Sequence, residues 1–184
     1  MSTKAVVFLA DGFEEIEAVT PIDVLRREGV NVITVTINET KKVTGAHRIV
    51  MEPDFVFSDG EHTDADVVIL PGGMPGTANM QNHSGLCQFV KAHAESGKLT
   101  AAICAAPSIL GSLGLLQGKT ATCYPGWEDK LIGADITDKA VAISENFVTG
   151  RGAGVSMDFA LALVWEIIGK QEMQALSKKM IFSR

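Results

Sequence analysis

The chain has 184 residues, 46% of them hydrophobic, with a formal net charge of −6. That length suits one domain, spanning residues 1–184, with a full core. The acidic balance, with no Lys/Arg run longer than two residues, excludes a nucleic-acid surface, and no apolar run approaches membrane-spanning length. No basic segment precedes an apolar one at the start, so a cytoplasmic location is expected. Cys87, Cys104 and Cys123 are an odd number without CxxC or CxxH spacing. They form neither a disulfide framework nor a zinc site. His47, His62, His83 and His93 are scattered, and no metal is expected.

Residues 5–9 (AVVFL) form a continuous apolar run, the mark of a strand covered on both faces. Asp11-Gly12 ends it, and helical spacing follows through Arg27. Pro21 inside that stretch predicts a kink or two helical pieces, and Gly29 is a plausible C-cap. Residues 30–37 (VNVITVTI) read as a strand whose alternation makes it less central than the first. Residues 43–51, broken by Gly45, read as a strand pair or hairpin, and residues 53–64 as a loop or short helix. Another buried strand, 66–70 (DVVIL), runs into Pro71-Gly72-Gly73-Met74-Pro75-Gly76. Ser84 is placed to cap a helix carrying Leu86, Phe89, Val90 and Ala94 at helical spacing. Residues 100–103 are a short buried strand, and 105–113 the start of a helix. A strand near 119–123 follows, then short strands at 141–144 and 147–149. A tight loop at 150–154 opens a long apolar helix over 155–168, and an amphipathic piece over 172–179 follows it. Strands alternating with helices imply a mostly parallel sheet with helices on both faces.

In such a sheet the site lies beyond the C-terminal strand ends. Four pieces coincide there: the loop with Glu14, Glu15 and Glu17, the Gly72-Gly73 pair, Cys104, and the 150–154 loop containing Gly152. Cys104 falls where strand turns into helix, flanked by Ala102 and Ala106, small enough for a nucleophile elbow to close. Pro107 suits the first helical turn, and a helix N-terminus favours thiolate over thiol. A cysteine in an apolar run also simply fills space. The N–H groups of Gly72 and Gly73, with that of Ala105, are placed to hold a developing oxyanion; an isolated Pro-Gly-Gly is also an ordinary turn. Glu17 shares a helix face with Pro21 and Val24, and apolar neighbours would keep it protonated to serve a thiolate. Spacing alone equally allows a solvated first-turn glutamate, which better describes Glu14 or Glu15. Tyr124 lies where a Cys nucleophile often borrows a His; a phenol orients substrate but is a poor base near neutral pH. Tyr124 and Trp127 also fit simple packing over the site mouth. Cys87 and Cys123 fill space, with Cys123 a resolving thiol if it is exposed.

Together, residues 9–17 (LADGFEEIE), 21–29 (PIDVLRREG), 70–73 (LPGG), 101–107 (AAICAAP) and 151–154 (RGAG) resemble the ThiJ/PfpI superfamily. The branch they are most similar to is that of the parkinsonism-associated protein deglycase and its bacterial homologues, over nearly the whole chain. The resemblance implies a flavodoxin-like three-layer α/β sandwich and a homodimer. It implies Cys104 as an oxidation-prone nucleophile, Glu17 as its protonated partner, and Gly72 and Gly73 lining an oxyanion pocket. Ala105 stands where protease-like relatives place a His, and Tyr124 replaces the branch's pocket His; both departures argue against a peptidase. Ala153 replaces a proline common in the branch. Two functions are implied. One is a cofactor-independent glyoxalase or deglycase acting on dicarbonyls or on their early adducts with protein, nucleotide or thiol groups, with a stress-protective role. The other is a redox-sensing, chaperone-like protein whose cysteine is oxidised to sulfinate without turnover. Fold membership does not choose between them.

Overall fold

The apolar runs of the sequence pair with one another, because a strand without a polar face is stable only inside a covered sheet. The computed structural model describes residues 3–182. β1 (Lys4–Leu9) leads to α1 (Glu15–Arg27) and β2 (Asn31–Thr36). A hairpin of β3 (Val43–Thr44) and β4 (Val50–Met51) precedes β5 (Phe55–Val56) and β6 (Val67–Leu70). Next come α2 (Gly76–Asn82), α3 (Ser84–Glu95), β7 (Leu99–Ile103) and α4 (Pro107–Ser112). β8 (Thr120–Ala121), β9 (Asp135–Ile136), β10 (Val141–Ser144) and β11 (Phe147–Gly150) follow, then α5 (Ser156–Ile167) and α6 (Lys170–Lys179).

The main sheet has seven strands in the order β10-β11-β7-β6-β1-β2-β5, parallel throughout except for the β10–β11 hairpin. Alternate residues of β1 feed two cores. Ala5, Val7 and Leu9 join α1, α5 and α6, while Val6 and Phe8 join α2, α3 and α4. This is the flavodoxin-like three-layer arrangement. Among the described residues no helix is long and apolar enough to cross a membrane.

The elements in part bear out and in part depart from the pattern-based expectation. α1 is one helix across Pro21, which is buried; the ring removes the helical donor for the C=O of Glu17. Gly29 lies just past the end of α1 at φ +76°, in a Schellman arrangement: its N–H reaches the Arg26 C=O, and the Val30 N–H reaches that of Leu25. Residues 53–64 hide the edge strand β5 and a short 3₁₀ turn at Phe57–Asp59, too brief to show any period. α2 lay concealed in a glycine- and proline-rich stretch. α3 is capped by His83 rather than Ser84: the His83 Nδ1 accepts the Leu86 N–H at 3.0 Å. β8 is only two residues long and pairs with β9 in a separate small sheet, outside the main one.

Below the sheet, His62 is buried with its ring stacked on Phe57 at 4.2 Å and edge-on to Phe89 at 4.7 Å. Burial, then the charges of Lys4 and His83, hold its pKa below the ordinary value of 6.5. Burial does the same to His93, whose Nε2 meets the Leu99 carbonyl at 3.1 Å. A depressed folded-state pKa means that this stability is complete above pH 6.5 and is lost as pH falls through the lower folded values. The two histidines therefore contribute a drop in the urea unfolding midpoint between pH 7.5 and pH 5.5, read as the difference from a variant so that other groups titrating there cancel. His62→Phe, which fills the same aromatic slot without titrating, is expected to flatten that drop; an unchanged slope would contradict the assignment.

Candidate active site

The C-terminal ends of β11, β7, β6 and β1 lie side by side, so the loops that follow them converge. Cys104 follows β7 directly. Its φ is +64°, a left-handed backbone that a side-chain-bearing residue adopts only under constraint. The constraint is explicit: the Cys104 N–H donates to the Gly150 C=O at 2.9 Å, and its C=O accepts the Tyr124 N–H at 2.8 Å. Ala102 and Ala106 are both fully buried, as a closed elbow requires.

α1 carries the second component. Glu14 is its N-cap, with Oε2 accepting the Glu17 N–H at 2.7 Å. Glu15 is buried rather than solvated, and accepts the His47 N–H at 2.7 Å and meets His47 Nδ1 at 2.8 Å. Burial works against its ionisation, but the bonds from His47 and the neighbouring backbone prevail and hold it below the usual carboxylate range. Glu15 thus pins the β3–β4 hairpin to α1. Two helical positions further, Glu17 is fully buried and points under the sheet ends. Its Oε2 accepts the Gly72 N–H at 2.9 Å, and the carboxyl lies against the Cys104 thiol.

Gly72 makes this contact possible. A Cβ there would stand 2.7 Å from Glu17 Oε2 and 2.8 Å from Cys104 Cβ. At Gly73, φ is +89° and a Cβ would meet the Glu14 nitrogen at 2.4 Å. No other residue type fits either position without displacing the site. The Gly72 N–H is therefore committed to Glu17, while the N–H groups of Gly73 and Ala105 act on the Cys104 sulfur.

Burial pushes the Glu17 carboxyl up to about 7, against the lowering effect of hydrogen bonds from Cys104 and Gly72. Burial also pushes the Cys104 thiol up, to about 12, followed by the Glu17 charge and its hydrogen bond, against the N–H groups of Ala105 and Gly73. The expected lowering by a helix N-terminus does not prevail while Glu17 is ionised. α4 begins three residues later at Pro107, and burial, then an ionised carboxylate beside the sulfur, outweigh so short a helix.

A cleft of about 190 Å³ opens over Cys104, lined by Gly73, Met74, Ala105, Tyr124 and Trp127. Tyr124 is 50% exposed, and its far side faces a second cleft of about 320 Å³ lined by Arg151, Gly152 and their neighbours. Gly152 therefore stands behind Tyr124 rather than on the Cys104 cleft, and Glu14 caps α1 instead of lining it. Met74 was not anticipated, although it directly follows the glycine pair. Cys123 is buried and pushed up to about 11 by burial and then by Glu128, with Arg151 opposing, so it does not meet the exposure a resolving thiol needs. A larger, mostly apolar cleft of about 490 Å³, lined by Val141, Leu161 and Trp165 among others, has no cysteine in its lining. Glu14, Glu15 and His47 bring three ligand-type atoms within 4.8 Å of one another, but Glu14 is occupied in capping and Glu15 in holding the hairpin.

A profile of the DJ-1/PfpI family matches residues 3–166. Protein DJ-1 homolog B of Arabidopsis thaliana is 39% identical over 98% of this chain, which spans only 42% of that protein's length. Protein dj-1beta of Drosophila melanogaster is 35% identical over 98% of both chains. Among solved structures, that of oxidized Toxoplasma gondii DJ-1 matches with a TM-score of 0.95 and 33% identity, covering both chains completely.

Glu17 gives a test with a definite sign. Its folded pKa is raised from 4.5 to about 7, so its contribution is complete below pH 4.5 and is lost as pH rises through 7. Glu17→Gln is neutral throughout. Relative to wild type it is expected to gain up to about 3 kcal/mol between pH 4.5 and pH 8, measured by urea unfolding. A difference that stays constant over that range would show that the Glu17–Cys104 pair does not lose a proton there.

Proposed function

The chain belongs to the DJ-1/PfpI family, and from that premise we propose that it converts 2-oxoaldehydes, free or as early adducts, to 2-hydroxy acids without a cofactor. Cys104 is the nucleophile and Glu17 the proton carrier. The observation that supports this reading best is a fully buried carboxyl lying against a partly exposed thiol on a strained turn. Near neutral pH the pair loses one proton and shares one negative charge. That charge is less costly on the sulfur, which opens on a cleft and faces two N–H groups, than on a carboxylate with no exposure and one N–H. Burial is the first cause that raises the thiol and the Glu17 charge the second; with Glu17 carrying the proton, that charge is no longer there.

In the reaction, the Cys104 thiolate adds to the aldehyde carbon, and the carbonyl electrons move to oxygen, which takes the proton of Glu17 to give a hemithioacetal. The Glu17 carboxylate then removes the hydrogen from that carbon and returns a proton to the adjacent carbon, while the hydroxyl proton of the hemithioacetal passes to the ketone oxygen; the ketone becomes the new alcohol and the first carbon the carbonyl of a thioester. One carbon is oxidised and its neighbour reduced, so no external oxidant or reductant enters. Water cleaves the resulting thioester and releases the 2-hydroxy acid and the thiol. The N–H groups of Gly73 and Ala105 are the donors available to the developing oxyanion. Gly72 acts differently from the expectation, through its bond to Glu17. We read this activity as stress-protective and cytoplasmic, in a homodimer. Ile16 and Val19 of α1, with Ile49 and Val50 at the pinned hairpin, are the exposed apolar residues suited to a second copy.

A second reading, oxidation of Cys104 as a sensor, is favoured by one specific finding: the matching Toxoplasma gondii structure is of an oxidized protein. The two are separated by assaying reduced, metal-free protein with methylglyoxal and no added thiol, following the hydroxy acid by chiral chromatography. Multiple turnover is expected, reduced about 10²-fold or more in Cys104→Ser and in Glu17→Gln. Absent or single turnover, with peroxide adding two oxygens at Cys104 alone, would replace the enzymatic reading with the sensor.

A further inference from the structure

We infer that the Cys104 site selects uncharged electrophiles bearing a flat apolar substituent, and takes aryl-substituted 2-oxoaldehydes in preference to methyl-substituted ones. The inference rests on the proposed 2-oxoaldehyde reaction and concerns which substituent the site accepts.

The residues around the sulfur carry the argument. None of the side chains lining the cleft of about 190 Å³ is charged: the walls are Met74, Tyr124 and Trp127, and the floor is Gly73 and Ala105. Glu17 lies buried beneath it. The nearby cations are engaged elsewhere. Lys130 Nζ sits over the Trp127 ring at 3.9 Å from its centroid, and the Arg151 guanidinium lies in the next cleft, bonded to the Asp138 carbonyl. A carboxylate-bearing aldehyde finds no counter-charge here and meets an acidic partner below. A neutral aromatic ring instead finds two aromatic walls and a thioether, surfaces that pair well with a π-face.

The walls are also held in position. The Tyr124 N–H donates to the C=O of Cys104 itself at 2.8 Å, and the Trp127 N–H closes a turn onto the Tyr124 C=O at 3.1 Å. The backbone that carries both rings is thus tied to the peptide that carries the nucleophile. Behind Tyr124, a Cβ at Gly152 would stand 3.4 Å from the ring, so the phenol is backed without being crowded. In a 2-oxoaldehyde the substituent sits on the carbon next to the one attacked. When C1 is on Sγ, that substituent projects into the cleft between these walls. The chemical balance is that of the proposed reaction, with phenylglyoxal giving mandelate.

Two measurements test this. The first compares kcat/KM for phenylglyoxal and methylglyoxal. Wild type is expected to favour the aryl substrate at least tenfold, mainly through KM. Tyr124→Ala should lower that ratio at least fivefold, and Tyr124→Phe should retain it. Equal or reversed preference in wild type, or an unchanged ratio in Tyr124→Ala, overturns the inference while leaving the reaction intact. The second needs no turnover: Cys104 alkylation by 2-bromoacetophenone and by bromoacetone, followed by intact mass and normalised to a free thiol in solution. An aryl preference there without turnover upholds the cleft's selectivity and rejects the enzymatic reading. No aryl preference in either assay rejects the selectivity itself.

Discussion

A carboxyl with no access to water is pressed against a thiol, and the local architecture is arranged around that contact. Glu17 reaches Cys104 only because position 72 has no Cβ: any side chain there would occupy the space between the carboxylate oxygen and the sulfur-bearing carbon. The carboxyl's depth is set by α1, whose start is held twice, by Glu14 as cap and by Glu15 through the hairpin. Three successive acidic side chains thus have three different tasks, decided by burial and partners rather than by residue type.

The strain at Cys104 is maintained by the same framework. A φ of +64° is disfavoured for a residue with a Cβ, and bonds to β11 and to the Tyr124 segment keep the turn from relaxing. β7 lies near the middle of a sheet covered on both faces, so the turn rests on a rigid base. The consequence is chemical: the sulfur is lifted into a cleft, while the group that governs its proton stays dry beneath it. Exposure differs between the two members of the pair, and in the proposed reaction that difference decides where a shared charge rests.

Much of this was legible in the sequence, for identifiable reasons. Unbroken apolar runs such as 5–9 and 66–70 announce strands covered on both faces, and small residues on either side of Cys104 announce a sharp strand-to-helix turn. The convergence of the four loops followed from the alternation of strands and helices. What stayed hidden depends on contacts between distant residues. The edge strand β5 is two residues long, and α2 sits where glycine and proline argue against a helix. His83 outranks Ser84 as a cap because its imidazole nitrogen, not a hydroxyl, meets the Leu86 N–H. The burial of Glu15 comes from a hairpin more than thirty positions away. How strongly burial opposes a Cys104 thiolate was not legible, because the helix behind it is short and the depth of the sulfur is set by other elements.

The central claim is that the charge shared by this pair resides on sulfur near neutral pH. Thiolate absorbance near 240 nm reads it directly, as the difference between wild type and Cys104→Ser over a pH titration. Cys87 and Cys123 are both pushed above the ordinary thiol value of 9.0 by burial and stay silent in the relevant range. With Glu17 holding the proton, the account predicts a Cys104-dependent thiolate signal near neutral pH, in place of the value of about 12 reached beside an ionised Glu17. A signal that appears only at strongly alkaline pH would place the charge on Glu17 and contradict the account.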